Sequence, residues 1–372
     1  MTIVSRPELP LSHAEQKTLA RVGYAPERER AATAVVVDRE VAHIDVEDPS
    51  VEVLPIAEAL VRHEWVQDLL FGLVRPDSDE RLARAVEQGL SPVGHFVHVA
   101  AGARVRLPVQ TFTMLETPQA HQYVHCLTVI EEGAELEAVS GSAAADPVRR
   151  GSHLSVSENY LRPGAKYRSV SIEHWGEKME VASFGATEVG VGAVHADTAI
   201  MLSPVARHET VSTTILHERA VSTDESIVFA AAGTERVSTS RIELDGEGAH
   251  AESIARMVTG GGIIRNRSTL VGRADGSDGY LGCDGLKIGR EGFIESSPGL
   301  IAHSPASQLS HEASIGMITR DKLAYLMATG LDEDAARDLI VRGFLQLDRL
   351  ALPEHIAEEV RRTVAEARSG AL

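Results

Sequence analysis

Leu127-Thr128-Val129-Ile130-Glu131-Glu132-Gly133-Ala134-Glu135-Leu136-Glu137-Ala138-Val139 reads as a strand, a glycine corner and a second strand. Val, Thr and Ile favour extended backbone, and the glycine turns the chain. The corner recurs. Gly102-Ala103, Gly133-Ala134 and Gly164-Ala165 follow one another at intervals of 31 residues, and Gly248-Ala249 appears later. A turn and a strand repeated at a fixed period are the mark of a stacked coil. The spacing therefore predicts a parallel β-helix. A β-sandwich whose glycines fall at this spacing by chance is the alternative.

From Gly94 to about Ile315 the chain keeps this chemistry, with short alternating runs at His98–Leu107, Tyr167–Trp175 and Glu209–Leu216. The flanks differ. Ser12 to Glu15 has the form of a capping box, with Leu19 and Val22 behind it and Gly23 as a stop. Pro55 to Phe71 is a second helix candidate, and Asp77 to Glu80 repeats the cap before Leu82, Val86 and Gly89. At the other end, Leu323, Leu326 and Met327 share helical spacing up to Gly330. Asp332 caps a second helix through Ala336, Leu339, Ile340 and Phe344, and Pro353 opens a third carrying Ile356, Val360 and Val364. The expected fold is mainly β: a right-handed parallel β-helix core with N-terminal and C-terminal helical subdomains. The divisions fall at residues 1–90, 91–315 and 316–372.

The 372 residues are 43% apolar but only 4% aromatic, so the core has to be made of Val, Ile, Leu and Ala. Five lysines among the 36 basic residues and a net charge of -18 argue against nucleic acid and against an anionic membrane face. No run of 18 apolar residues is present, and Met1 to Pro10 lacks the pattern of a signal peptide. Cys126 and Cys283 alone do not form a disulfide framework, and a cytoplasmic location is expected.

Several motifs are missing or do not hold. Gly260-Gly261-Gly262 is followed by no Lys-Ser or Lys-Thr, so no phosphate cradle is expected. No Gly-x-Ser-x-Gly elbow occurs. His121, His125 and Cys126 resemble a metal cluster, but residues four apart on a strand are separated by roughly 13 Å, and Cys126 faces away from His125. These residues, and His95 and His98, are read as structural. The informative segment is Leu281-Gly282-Cys283-Asp284-Gly285-Leu286-Lys287-Ile288-Gly289, followed by Ser307-Gln308-Leu309-Ser310-His311-Glu312-Ala313. Cys283 offers a soft thiolate, His311 an imidazole and Glu312 a carboxylate.

This segment resembles the C-terminal core of the SufB/SufD family, whose SufB members are scaffolds for iron–sulfur cluster assembly. The 28 residues from Cys283 to His311 match the family spacing, and Gly330, Ala335 and Ile340-Val341-Arg342-Gly343-Phe344 are similar to its C-terminal tail. Gly94-His95-Phe96-Val97 to Pro108-Val109-Gln110 resembles the family's entry into its β-helix, and Leu127-Thr128-Val129-Ile130-Glu131-Glu132-Gly133 and Ser171-Ile172-Glu173-His174-Trp175 resemble two of its inner rungs. The likeness covers roughly residues 90 to 350, and Cys283 with Glu312 places the chain nearer SufB than SufD. His125 stands where the family has an arginine, Glu173 where it has a glutamine, and the cysteine that receives sulfur has no counterpart. The resemblance implies a non-enzymatic scaffold carrying a transient iron–sulfur cluster, expected as 4Fe–4S, on Cys283, His311 and Glu312. It also implies a sulfur route past Glu173 and Trp175. A SufC-like ABC ATPase, the source of any ATP chemistry, would dock at Gly330, Ala335, Arg342, Gly343 and Phe344. One matched cysteine per chain cannot supply four thiolates, so a homodimer is expected, with a SufD-like partner as the alternative. Two other functions remain open: a SufD-like structural partner, and a carbohydrate-active β-helix enzyme.

Overall fold

The computed structural model describes residues 11–25, 28–88 and 93–346, with 358 and 362. Ahead of the solenoid come α1 (His13–Ala20), β1 (Ala32–Val37), β2 (Glu40–Val46), β3 (Val51–Pro55), α2 (Ile56–Arg62) and α3 (Glu80–Glu87). The coils run from β4 (His95–Val99) through β5 (Val109–Leu115), β6 (His121–Ile130), β7 (Glu135–Ala144), β8 (Arg150–Leu161) and β9 (Lys166–His174). They continue with β10 (Lys178–Val189), β11 (Val194–Met201), β12 (Arg207–Leu216), β13 (Val221–Ala231) and β14 (Glu235–Leu244). The last are β15 (His250–Gly260), β16 (Ile263–Gly272), β17 (Asp278–Lys287), β18 (Phe293–Ala302) and β19 (Gln308–Met317), before α4 (Arg320–Ala328) and α5 (Glu333–Leu345).

From β4 onward the strands alternate between two sheets. The odd strands β5 to β19 and the even strands β4 to β18 each form a parallel ladder, making a parallel β-solenoid of about eight turns. The corner seen in sequence drives the stacking. Gly102, Gly133 and Gly164 have φ near +70°, a conformation that costs glycine nothing. The Gly133 N–H donates to Pro163 O at 3.0 Å and the Gly164 N–H to Val191 O at 2.9 Å, so each corner is bonded to the coil after it. Ala134 and Ala165, next in the chain, are fully buried.

The helix caps fall where the sequence places them. Ser12 and Glu15 form the full capping box of α1, and Asp332 caps α5 by accepting from the Ala335 N–H at 2.7 Å. The second helix is shorter than Pro55–Phe71: α2 stops at Arg62, and a single 3-10 turn follows. The cap of α3 is Asp79, not Asp77. Gly89 lies outside the described residues, as does most of the helix expected from Pro353, of which Glu358 and Arg362 are described and are helical. The N-terminal part is less helical than expected. β1 joins β5 in parallel, β2 returns antiparallel on β1, and β3 pairs antiparallel with β4, so both sheets are extended and their first edges occupied. α1 lies on the outer face of the odd sheet with Leu19 and Val22 against Phe112 and Val139, and α5 covers the same face further along with Ala336 and Val341 near Val258 and Leu286. No described helix is long and apolar enough to cross a membrane.

Candidate functional site

Cys283 lies on β17, 2% exposed, among Ala255, Met257, Ile264 and Ile294. Its inward direction follows from strand alternation, since Leu281 and Cys283 share one face and Gly282 the other. Asn266 Nδ2 is 3.5 Å from the sulfur. Burial raises the thiol above its usual range against the opposing influence of Ser296 and Asn266, so it rests protonated. The next rung places His311 opposite Leu281 and Glu312 opposite Gly282. His311 therefore shares the inner face with Cys283, one strand over and two residues back, with the two Cα atoms roughly 8 Å apart by sheet geometry. Glu312 points to the outer face, where the Tyr280 hydroxyl approaches its carboxylate at 3.5 Å. Hence the fold brings Cys283 and His311 to one wall and turns Glu312 away. Among the described residues no three His, Cys, Asp or Glu side chains of one chain stand together as a metal clasp.

β19 is the edge of its sheet, and its residues are almost all exposed. Leu300, Ile301, Ile315 and Met317 leave 37%, 41%, 48% and 49% of their surface open, so this end of the solenoid is apolar and uncovered by any described element. It contrasts with the first end, closed by β2 and β3.

Behind Cys283 the solenoid is not filled with hydrocarbon. A cavity of about 390 Å³ runs inside it, with His95 and Cys126 toward the first rungs and Asn266 and Ser268 toward the last. Its walls mix stacked hydroxyls with apolar side chains such as Val124, Phe184 and Met201, and Ser240 donates to Ser268 at 3.0 Å from one rung to the next. Cys126 Sγ is 3.5 Å from His95 Nδ1. Burial pushes the Cys126 thiol up to about 11 and His95 down to about 4, so the pair is neutral. His125 faces out from the same strand, and His121 meets Ser152 at the surface at 2.7 Å.

Glu173 borders this cavity and Trp175 holds it, donating from Nε1 at 3.2 Å. His208 Nδ1 is 3.1 Å from the same carboxylate oxygen and 2.9 Å from Arg236 Nη1. Burial alone would raise Glu173, but His208 and Arg236 outweigh it and its carboxyl lies below the usual range. The five proposed docking positions, four in α5 and one before it, divide. Ala335 serves the cap, Arg342 pairs with Asp338, and Phe344 packs half-buried against the odd sheet. Gly343 faces open space, and Gly330 makes the left-handed link from α4 at φ 102°. Tyr325 and Leu339 are 72% and 51% exposed beside them.

Residues 112–344 match the sequence family described as SUF system FeS cluster assembly, SufBD core domain. That span holds every residue of the candidate site. The chain belongs to the SufBD family. It is 35% identical over 314 residues to an iron–sulfur cluster assembly SufBD family protein of Archaeoglobus fulgidus, covering 84% of each chain. A protein of the same description from Methanothermobacter thermautotrophicus is 32% identical over 352 residues, or 93% of this chain and 86% of that one. The iron–sulfur cluster assembly protein SufB of Bacillus subtilis is 23% identical over 382 residues, covering 96% of this chain and 76% of its own. Family membership carries involvement in iron–sulfur cluster assembly. Glu158 and the pair Asp197 and Asp224 had no signal in sequence, because what they face lies far along the chain: the neighbouring rung for the two aspartates, and His125 with the N–H groups of Phe71, Leu73 and Val74 for Glu158.

Proposed function

We propose that this SufBD chain is the non-catalytic scaffold on which a transient iron–sulfur cluster is built. The observation that supports it is the placement of Cys283 and His311 on one inner wall beside an apolar, unpaired edge. In this reading two chains meet edge to edge at β18 and β19, and their Cys283 and His311 pool as ligands. Glu312, on the outer face, joins the set only across that junction. A mixed thiolate and imidazole set holds its cargo less permanently than four thiolates and allows it to leave. Sulfur would reach Cys283 through the interior, past Glu173. A SufC-like ABC ATPase docking on α4 and α5 would supply ATP chemistry, and two free thiols suit a reducing cytoplasm.

The decisive experiment is anaerobic reconstitution with ferrous iron and sulfide, followed by visible absorption, for wild type and Cys283→Ser. Wild type is expected to develop the charge-transfer bands of a cluster and the variant to lose them. Because metal binding displaces a thiol proton, wild-type uptake should also accelerate with rising pH. Equal behaviour of the two proteins would favour a SufD-like structural partner, a reading supported by the turn of Glu312 away from Cys283. The junction has its own test. Ile315→Lys places a charge on the exposed edge, and sedimentation should then find a monomer where wild type is a dimer. A dimer that survives the substitution removes the edge-to-edge arrangement.

A further inference from the structure

Midway along the cavity two carboxyl groups lie side by side. Asp197 on β11 and Asp224 on β13 are register partners on adjacent parallel strands, both directed inward. Their backbones are about 4.8 Å apart, as for any neighbouring strands. Asp224 keeps 24% of its side-chain surface accessible although it is inside the solenoid, so that surface faces the cavity. Each carboxyl has a hydroxyl neighbour: Ser169 donates to Asp197, and Ser222 lies 3.3 and 3.4 Å from the two oxygens of Asp224.

Among the described residues no lysine or arginine pairs with either carboxyl. The titratable groups facing it are Tyr167 on β9 and His195 on β11, whose Nδ1 is 3.6 Å from Asp224. Burial holds His195 down to about 4, so it is neutral at working pH. β15 presents Ser253, and the opposite sheet presents hydroxyls and Asn159. The buried guanidinium of Arg236 is engaged by His208 and by the carbonyls of Ser203 and Phe229, next to Glu173. Arg256 turns outward to Glu225 and Gln346. No lysine or arginine lines the cavity among the described residues. Two like charges this close in a medium of low polarity do not both ionise readily. Burial, and next the charge of Asp197, push Asp224 up to about 7 against its bond from Ser222. Burial raises Asp197 as well, against the bond from Ser169.

We infer that Asp197 and Asp224 hold one proton between them near neutral pH and that its loss closes the cavity to anionic sulfur by doubling the negative charge facing it. The inference rests on the reading above, in which sulfur reaches Cys283 through the interior. It supplies that route with a regulator: acidification opens it to hydrosulfide and alkalinisation restricts it.

Infrared titration of the apoprotein tests the proton, with no cluster required. Wild type should show a protonated carboxyl stretch at pH 6 that titrates away with a midpoint about pH 7, as Asp224 does, and Asp224→Asn should lack it. No such band at pH 6 overturns the inference. Stability gives a second readout. The folded group binds its proton more tightly than an unfolded aspartate near 3.9. Its contribution is therefore complete below about pH 4 and lost as pH rises to about 7. Wild type should accordingly lose Tm relative to Asp224→Asn across that window and run parallel to it above. The charge effect is read from the rate of sulfide-dependent cluster formation. The ratio of Asp224→Asn, which keeps the single charge of the protonated pair at every pH, to wild type cancels the ionisation of sulfide and of Cys283. It should be near one at pH 6 and rise about tenfold by about pH 8.5, the size expected of one extra charge at cavity distances. A ratio that stays flat while wild type still builds its cluster overturns the gate and leaves the scaffold reading standing. Wild type that builds no cluster at any pH defeats the scaffold reading and the gate with it, while the infrared band still reports the proton.

Discussion

Glu158→Ala should release the N-terminal part of the chain from the solenoid and lower stability by about 3–5 kcal/mol, the cost of removing one member of a buried charged network. Glu158 projects from the outer face of β8 and is completely buried. Its Oε1 accepts from the Leu73 N–H at 2.7 Å and the Val74 N–H at 2.9 Å. Its Oε2 accepts from the Phe71 N–H at 2.8 Å and lies 2.7 Å from His125 Nε2. Phe71 adopts φ 59°, which bends the segment around the carboxylate so that successive N–H groups converge on it. The Phe71 ring then packs edge-on to His125 at 4.5 Å. Without the carboxylate, three backbone donors and a histidine are left in a dry interface with no acceptor. Glu158→Gln keeps the shape and loses the charge, so it should cost less than the alanine. Thermal unfolding measures the loss. Limited proteolysis locates it, with cuts expected before residue 90 while the solenoid stays intact. Wild-type protease resistance in Glu158→Ala would show that apolar packing of Leu82 and Val74 on Phe184 holds this part by itself.

The contrast between what was legible and what was not follows from the solenoid itself. Local signals were readable because they need only neighbours in the chain. The capping box at Ser12 and Glu15 and the cap at Asp332 are examples, and both form as their spacing requires. The first three corners were readable because their period is constant. Left-handed corners continue at Gly192, Arg219, Gly248 and Gly276, but the interval shortens to 27–29 residues and one corner is an arginine, so the repeat fades from sequence view. Small buried residues still follow each corner, at Ala193, Ala220, Ala249 and Ser277. The strands β1 to β3 are hidden in the sequence for a different reason. Helix caps surround them, yet the run Ala32-Thr33-Ala34-Val35-Val36-Val37 is β-rich and was a usable signal. The inner wall was hardest. Serine and threonine at alternate positions suggest a solvent face, and here they line the interior instead. Only the rung-to-rung register reveals it, and with it the facing of Glu158, Asp197 and Asp224. The same register explains why Cys283 and His311 share a wall while the adjacent Glu312 does not.

Arg236→Met should be the second most damaging change, again costing about 3–5 kcal/mol by stranding a buried charge. Arg236 is 2% exposed and binds three ways at once. Nε donates to Phe229 O at 3.0 Å and Nη2 to Ser203 O at 2.6 Å, tying together the backbone of consecutive coils, while Nη1 meets His208 at 2.9 Å. After His208, the larger influence, its charge also helps hold the Glu173 carboxyl down in the interior. Burial lowers Arg236 itself to about 10, with Glu173 working in the opposite direction, so the guanidinium remains charged at neutral pH. Methionine fills much of the volume but offers neither donors nor charge. The Glu173 carboxyl should then rise from its lowered value, with His208 and Trp175 still opposing burial. Because the stability lost by such a rise grows as pH climbs through the new value, the loss should be smaller at pH 5 than at pH 8. The double variant Arg236→Met/Glu173→Gln separates the two contributions. It should recover the pH-dependent part and leave the cost of the two unbonded carbonyls. If the single variant loses the same stability at both pH values, the ion pair is not what Arg236 provides, and its role reduces to bonding Ser203 and Phe229.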